Sequence, residues 1–419
     1  MTYCQLIGIL CERSKDYLLT LNVFPSTPPT TDQHELHHQR ITTRLFILLL
    51  AISLSILLLY TSLINITQLI RVQSPSIQQY SQLYQMHSQT LTCDCTQISI
   101  SYKKFINVEY DFHQVCQSHF VTQKWISYIT TSLGGSAEYY TDFQAIGTFM
   151  FQALRTFCEL VNQAISNELS QFYSNQYVSA SVASSNVFQS QTDALISQFI
   201  SSTTAKFLAS LSMARNITQS NALVSGQFTN FMFIDQPSDN FSSYSQLYGN
   251  CTCALSATCV IPSTINQLFS VPGLYVGCYV IEALLQSNLQ CFYNNTCIKR
   301  IQSYFDEVAG VNFTPLNTSL LNGSYENTTI EELLNELMVE KWNLSSSYKN
   351  YYNECQPSEC SYSAVAKNSA IYIVTTVIGL IGGLIKILKF VVPYMIQFLW
   401  FLGRKCKFRR NTAVSIDDI

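Results

Sequence analysis

Across 419 residues only 12% are charged, about half the usual globular share, and the formal net charge is −3. No basic face or long single-sign run is present to neutralise phosphates, so nucleic acid is set aside as a partner. Polarity comes instead from Ser, Thr, Asn and Gln.

Residues 1–43 are too short for a domain, and Pro25, Pro28 and Pro29 break any long helix, which makes this stretch a tail. Within it "HELHH", His34 to His38, matches the H-E-x-x-H zinc signature, in which two His one turn apart bind the metal and the Glu activates water. Tails of 43 and 17 residues supply neither a third ligand nor a cleft, so a polar juxtamembrane turn is expected. The next segment, "LFILLLAISLSILLLYTSLI" (Leu45 to Ile64), holds twenty residues without a charge, roughly 30 Å of helix, which matches a bilayer core. We place a transmembrane helix at 44–66. It exceeds a signal peptide's apolar region of roughly 7–15 residues and is expected to be an uncleaved anchor.

Residues 67–367 form the expected ectodomain. "TCDCTQISISY" and "FINVEYDF" alternate apolar and polar residues, the latter through Ile106, Val108, Tyr110 and Phe112, as short half-buried strands do. "HQVCQSH" spaces His113, Cys116 and His119 as metal ligands could be, but a cysteine of an even extracellular set is more often a disulfide partner, so no metal is assigned. From Tyr139 the period lengthens: Phe143, Ile146, Met150, Leu154, Phe157, Val161, Ile165, Leu169 and Phe172 make the stripe of an amphipathic helix. A second helix is expected over 184–213, through Phe188, Leu195, Phe199, Phe207 and Leu211, giving a helical hairpin. "YSQLY" occurs at Tyr80 and again at Tyr244, each time before a Cys-x-Cys pair, which raises a duplicated module. Residues 310–328 read as an exposed loop, and "NTTIEELLNELMVEKW" as a third helix with Thr328 and Glu331 as capping box and Leu333, Leu334, Leu337 and Met338 as stripe.

The second span is placed at 368–390, an interfacial apolar segment at 391–402 and a basic tail at 403–419. From Asn368 to Ile385 is about 27 Å of helix, so Lys386 and Lys389 arrive at the inner interface and snorkel to lipid phosphates, while Pro393 bends or ends the helix. Gly379, Gly382 and Gly383 form a small-residue face suited to packing on another transmembrane helix, including that of a second copy. A cation pathway would hardly carry two Lys, which weighs against a pore. In the tail, Arg404, Lys405, Lys407, Arg409 and Arg410 should attract anionic lipid, Cys406 is a candidate palmitoylation site and Thr412 a candidate phosphorylation site.

Topology rests on three signals. Arg40 and Arg44 before the first span and the five basic residues after the second put both termini in the cytoplasm. Twelve of fifteen cysteines lie between the spans, at Cys93, Cys95, Cys116, Cys158, Cys251, Cys253, Cys259, Cys278, Cys291, Cys297, Cys355 and Cys360, an even set for disulfides of undetermined connectivity. Asn-x-Ser/Thr signals lie there too, at Asn216, Asn240, Asn250, Asn294, Asn312, Asn317, Asn322, Asn327 and Asn343. Asn65 also matches, but at the membrane edge, where no glycan is expected.

Two spans, internal termini and a cysteine-rich ectodomain loosely resemble the epithelial sodium channel and degenerin family, although Gly383 is followed by Leu384 and Ile385 where that family has its Gly-x-Ser filter. Across more of the chain, "RLFILLLAISLSILLLYTSL", "TLTCDCTQISI", "GCYVIEALLQSNLQCFYNNTC", "ECQPSECSY" and "IYIVTTVIGLIGGL" resemble recurring segments of a two-pass family expanded in bdelloid rotifers. That resemblance implies architecture and no activity. The sequence predicts a mainly α membrane protein, two transmembrane helices flanking a disulfide-rich, mostly helical ectodomain with a few short β-strands. The expected role is a non-enzymatic plasma-membrane glycoprotein for recognition, adhesion or sensing, without a cofactor, in contact with membrane lipids and an extracellular ligand. The alternative is a subunit of a ligand- or force-gated ion channel.

Overall fold

Asp32 starts the first helix, α1 (Gln33–Leu63), by accepting the His34 N–H at 2.9 Å. Inside α1 the hydroxyls of Thr42, Thr43 and Thr61 donate to carbonyls four residues back, and the Thr43 oxygen also accepts the Val23 N–H at 3.0 Å. The computed structural model describes residues 20–26, 32–131, 140–236, 240–305 and 312–414. After α1 come β1 (Asn65–Gln73), α2 (Ile77–His87), β2 (Thr92–Cys95), β3 (Ser99–Ser101), β4 (Ile106–Phe112), α3 (Gln123–Thr131), α4 (Phe143–Ser174), β5 (Gln176–Val178) and α5 (Ser185–Ser220). Then follow β6 (Phe231–Gln236), β7 (Asn240–Ser245), β8 (Leu247–Tyr248), β9 (Cys251–Thr252), β10 (Val260–Ile265), β11 (Phe269–Gly277), α6 (Val280–Gln286), α7 (Gln290–Tyr293) and α8 (Asn295–Gln302). Last are α9 (Ile330–Asn335), β12 (Val339–Ser346), α10 (Tyr348–Cys355), β13 (Pro357–Lys367) and α11 (Ala370–Val414). Helix makes up 56% of the described residues and strand 21%, so strand is a larger part than a few short pieces.

The chain divides into two units. The first holds Met1–Arg71, His87–Leu91 and Ser361–Ile419. In it α1 packs on α11 through Phe46, Val392 and Ile396, with Leu49, Leu50, Ile385 and Leu388 in the same apolar cluster. Phe24 closes that cluster edge-on against Phe46, ring centroids 5.7 Å apart. Both helices are long and apolar enough to cross a membrane, and their apolar surface is almost wholly uncovered, unlike that of a core helix in a water-soluble domain. Of the two outcomes expected at Pro393, a bend or an end, the second does not occur: the helix runs on, and its apolar part, Ala370–Leu402, is 33 residues or about 50 Å long. The polar turn expected at 34–38 lies inside α1 instead.

The second unit holds Val72–Met86 and Thr92–Cys360. Its spine is α4, capped by Asp142, which accepts Gln144 N–H at 2.8 Å and Asn266 N–H at 2.7 Å. Eight of the nine stripe residues predicted for α4 are buried, and Leu169 packs partly buried against the second cluster. One core gathers the first half of α4 with α3, β11 and α6 to α9; the other joins its far end to β3, β4, α5 and α10 around Phe105, Phe172, Phe188 and Tyr351. Among the described residues the unit's strands pair antiparallel in twos, β12 with β4, β10 with β11, β3 with β5, β6 with β7 and β8 with β9. The largest antiparallel pair, β12 on β4, sets Trp342 opposite Tyr110 and Leu344 opposite Val108. Gly273, at φ +82°, abuts the Asn288 side chain, so only glycine meets both the backbone and the space there.

Two further expectations are corrected. The third helix is only six residues, and its capping box is Thr329 with Glu332, one residue later than expected. Leu337 and Met338 do not continue the stripe: at φ 55° and 50° they turn the chain from α9 into β12, held there by nearly complete burial. The two YSQLY segments differ as well, Tyr80 lying in a helix and Tyr244 in a strand pair, so they do not share a local structure.

Long-range charge pairing locks the second unit. Arg215 of α5 forks onto both carboxylate oxygens of Glu282 at 2.6 Å each and reaches Glu331 at 3.0 Å, joining α5 to α6 and α9.

Candidate functional site

His113 just after β4, together with α9, β12 and the segment 322–328, lines an open cavity of about 690 Å³. Its inner wall is a polar cluster drawn from distant parts of the chain. His113 is 2% exposed, and its Nδ1 accepts the Val115 N–H at 3.2 Å, capping the 3-10 turn Gln114–Gln117. That leaves the proton on Nε2, which lies 3.4 Å from Glu340 Oε1 and 3.2 Å from the Tyr293 hydroxyl. Glu340 also accepts the Asn322 N–H at 3.0 Å and the Ser324 hydroxyl at 2.6 Å.

Beside this cluster, Gln114 donates to Asn317 O at 2.8 Å and accepts Asn317 N–H at 2.7 Å. The loop expected to be merely exposed is therefore pinned at Asn317, Asn322 and Ser324, while Phe313 and Leu316 bury in the main core. The outer wall carries Tyr325, Glu332, Glu336 and Trp342.

Burial holds the His113 pKa below the usual histidine value, with the Glu340 charge opposing the shift in part. A histidine whose folded pKa is lowered binds fewer protons folded than unfolded over the window between the two values. Stability therefore rises with pH across that window and is lost as pH falls below the ordinary value near 6.5. We predict a thermal midpoint that drops between pH 7 and pH 5. His113→Gln, which can accept and donate in place of the imidazole without titrating, should flatten that slope; an unchanged slope would show that another group sets it.

All twelve cysteines expected to pair do so, as Cys93–Cys360, Cys95–Cys355, Cys116–Cys158, Cys251–Cys259, Cys253–Cys278 and Cys291–Cys297. The bond to Cys158 and the engaged nitrogens of His113 remove two of the three groups of the HQVCQSH pattern from metal binding. His34 and His38 lie together on α1, their rings 5.1 Å apart, and Trp400 meets His38 at 4.2 Å.

Among the glycosylation signals, Asn216, Asn250, Asn294, Asn312, Asn317, Asn322 and Asn327 are exposed. Asn294 caps α8 through its oxygen, which accepts the Thr296 and Cys297 N–H groups. Asn343 differs: it is half-buried in β12, and its amide nitrogen donates to Asp111 at 2.9 Å. The side chain of Asn240 lies outside the described residues, as do those of Arg404, Lys405, Cys406, Lys407, Arg409, Arg410 and Thr412. Gly379, Gly382 and Gly383 are open, with no neighbour within 4 Å of where a Cβ would stand. Gly379, Gly383 and Lys386 share a face by their four- and three-residue spacing, away from the stripe that meets α1; Lys386 and Lys389 are exposed.

Sequence reasoning missed Tyr293, Glu340 and the Arg215 cluster. The signal available was scarcity, since in a chain with 12% charged residues a Glu or Arg amid apolar neighbours needs a partner. No protein-family profile matches this chain, and no characterised protein or solved structure is significantly similar to it.

Proposed function

We propose that this chain is a two-pass cell-surface glycoprotein, with both termini cytoplasmic and residues 67–367 outside, that serves recognition, adhesion or sensing without catalysis. The supporting observation is the placement of the disulfides: every cysteine between the two apolar helices is bonded, as an oxidising compartment requires. The basic residues that flank the uncharged stretches, Arg40 and Arg44 before the first and Arg404 to Arg410 after the second, add the orientation. The extracellular unit then presents the 690 Å³ cavity and the glycan-acceptor loop on a rigid, stapled frame.

On this reading Val392 packs beside Phe46, near the inner end of the first span. Lys386 and Lys389 reach back from within the apolar helix to the inner headgroups, and the excess length of α11 over a bilayer core of about 30 Å is taken up by tilt or by lying at the interface. The open glycine face is offered to α11 of a second copy. A channel subunit is the second reading, because α11 continues through Pro393 and so has the length a pore-lining helix needs.

Expression in a heterologous cell separates these. Surface protein whose mobility increases by several glycans on glycosidase treatment, with enhanced cell adhesion and no added current under stretch or ligand perfusion, is expected. Currents that scale with surface expression would replace recognition by conduction.

A further inference from the structure

We propose that the 690 Å³ cavity is occupied by this chain's own N-linked sugar, carried on Asn322 or Asn327, so that the glycan is a built-in part of the wall and not a free antenna. The inference rests on the extracellular placement of residues 67–367 proposed above.

Both asparagines are exposed and both line the cavity. Each heads an intact signal, Asn322-Gly323-Ser324 and Asn327-Thr328-Thr329. The covalent step is ordinary: the asparagine Nδ2 bonds to the anomeric carbon of a lipid-linked oligosaccharide, the carbon–oxygen bond to the lipid diphosphate breaks, and the amide gives up one proton. Once attached, the first sugars have a wall of suitable chemistry within reach. Tyr325 and Trp342 offer aromatic faces for the C–H face of a pyranose. Glu336 and Asn335 offer acceptors and donors for its hydroxyls. The volume falls within the 300–1,000 Å³ or so of ordinary small-ligand sites.

Tyr325 is 75% exposed and its backbone N–H is held by the Thr328 hydroxyl at 2.7 Å, so the cavity lining includes a ring that a sugar can reach. The inner wall cannot shift to fill the space, because Glu340 is committed to His113, Asn322 and Ser324. A sugar anchored at the rim enters without the entropy cost of a free ligand, since its attachment raises its effective concentration beside the wall.

The test uses the full-length protein, made in a glycosylating eukaryotic host and purified undenatured in detergent. Peptide N-glycosidase release is followed site by site by mass spectrometry. Sugar at Asn322 or Asn327 should leave at least roughly tenfold more slowly than that at Asn216 and Asn250, because release waits for local opening; denaturation should erase the difference. Tyr325→Ala, at an exposed ring outside the core, should speed release at the protected site while leaving Asn216 unchanged. Equal native rates at all four sites would overturn the proposal, as would empty Asn322 and Asn327 in a protein glycosylated elsewhere. A chain carrying no glycan at any site would overturn the extracellular placement itself.

Discussion

Replacing Cys93, Cys95, Cys355 and Cys360 together by Ser should lower the stability of the second unit by about 7 kcal/mol, about 5 for the long loop and about 2 for the small ring, whereas removing either bridge of the pair alone should cost only about 2 kcal/mol. The bonds Cys93–Cys360 and Cys95–Cys355 close chain loops of 267 and 260 residues and lie side by side. While one remains, the other closes only a small ring formed by residues 93–95 and 355–360. The entropy of the long loop is recovered by the unfolded chain only when both are gone, so the two losses are strongly non-additive. Any closure already supplied by the pairing of α1 with α11 reduces the larger figure. Unfolding in urea, followed by the fluorescence of Trp125 and Trp342, measures the difference. Additive costs would mean that the bridges restrain separate segments.

Arg215→Met should be the most damaging single change at a charge, at about 3–5 kcal/mol, because it strands the Glu282 carboxylate. That side chain is 7% exposed, and both its oxygens are held by the one guanidinium. Adding Glu282→Leu to Arg215→Met should restore most of the loss, since two apolar groups then replace a buried pair. By contrast, Lys206→Met removes a 2.6 Å contact to Glu168 whose lysine is largely solvent-exposed, and should change little. Should the double variant be no more stable than Arg215→Met, the fork would be contributing through packing and not through charge.

Local patterns were legible where one face of one element decides the outcome. The α4 stripe is such a case, because each of its residues meets the same core along one line. The capping box shows where spacing stops: Thr328 with Glu331 and Thr329 with Glu332 fit equally, and the choice falls to Ile330, 1% exposed, which must enter the core from the first turn. The switch from α9 to β12 was hidden because Leu337 and Met338 fit a helical stripe; pairing with β4, over two hundred residues earlier, overrides it. YSQLY takes helix or strand by context for the same reason. The His113–Glu340 pair and the bonds Cys93–Cys360 and Cys95–Cys355 are long-range facts that no local period encodes, whereas the even cysteine count and the two uncharged runs are compositional and were readable at once.

The central claim is that the chain crosses the membrane twice with residues 67–367 outside. Epitope tags fused at residue 1 and at residue 419, each in an otherwise unchanged chain, test it by antibody staining of intact and permeabilised cells, with an antibody to the folded region between the helices as reference. Intact cells should stain with the reference antibody alone, and both tags should appear only after permeabilisation. Staining of either tag on intact cells would contradict the topology on which the functional proposal stands.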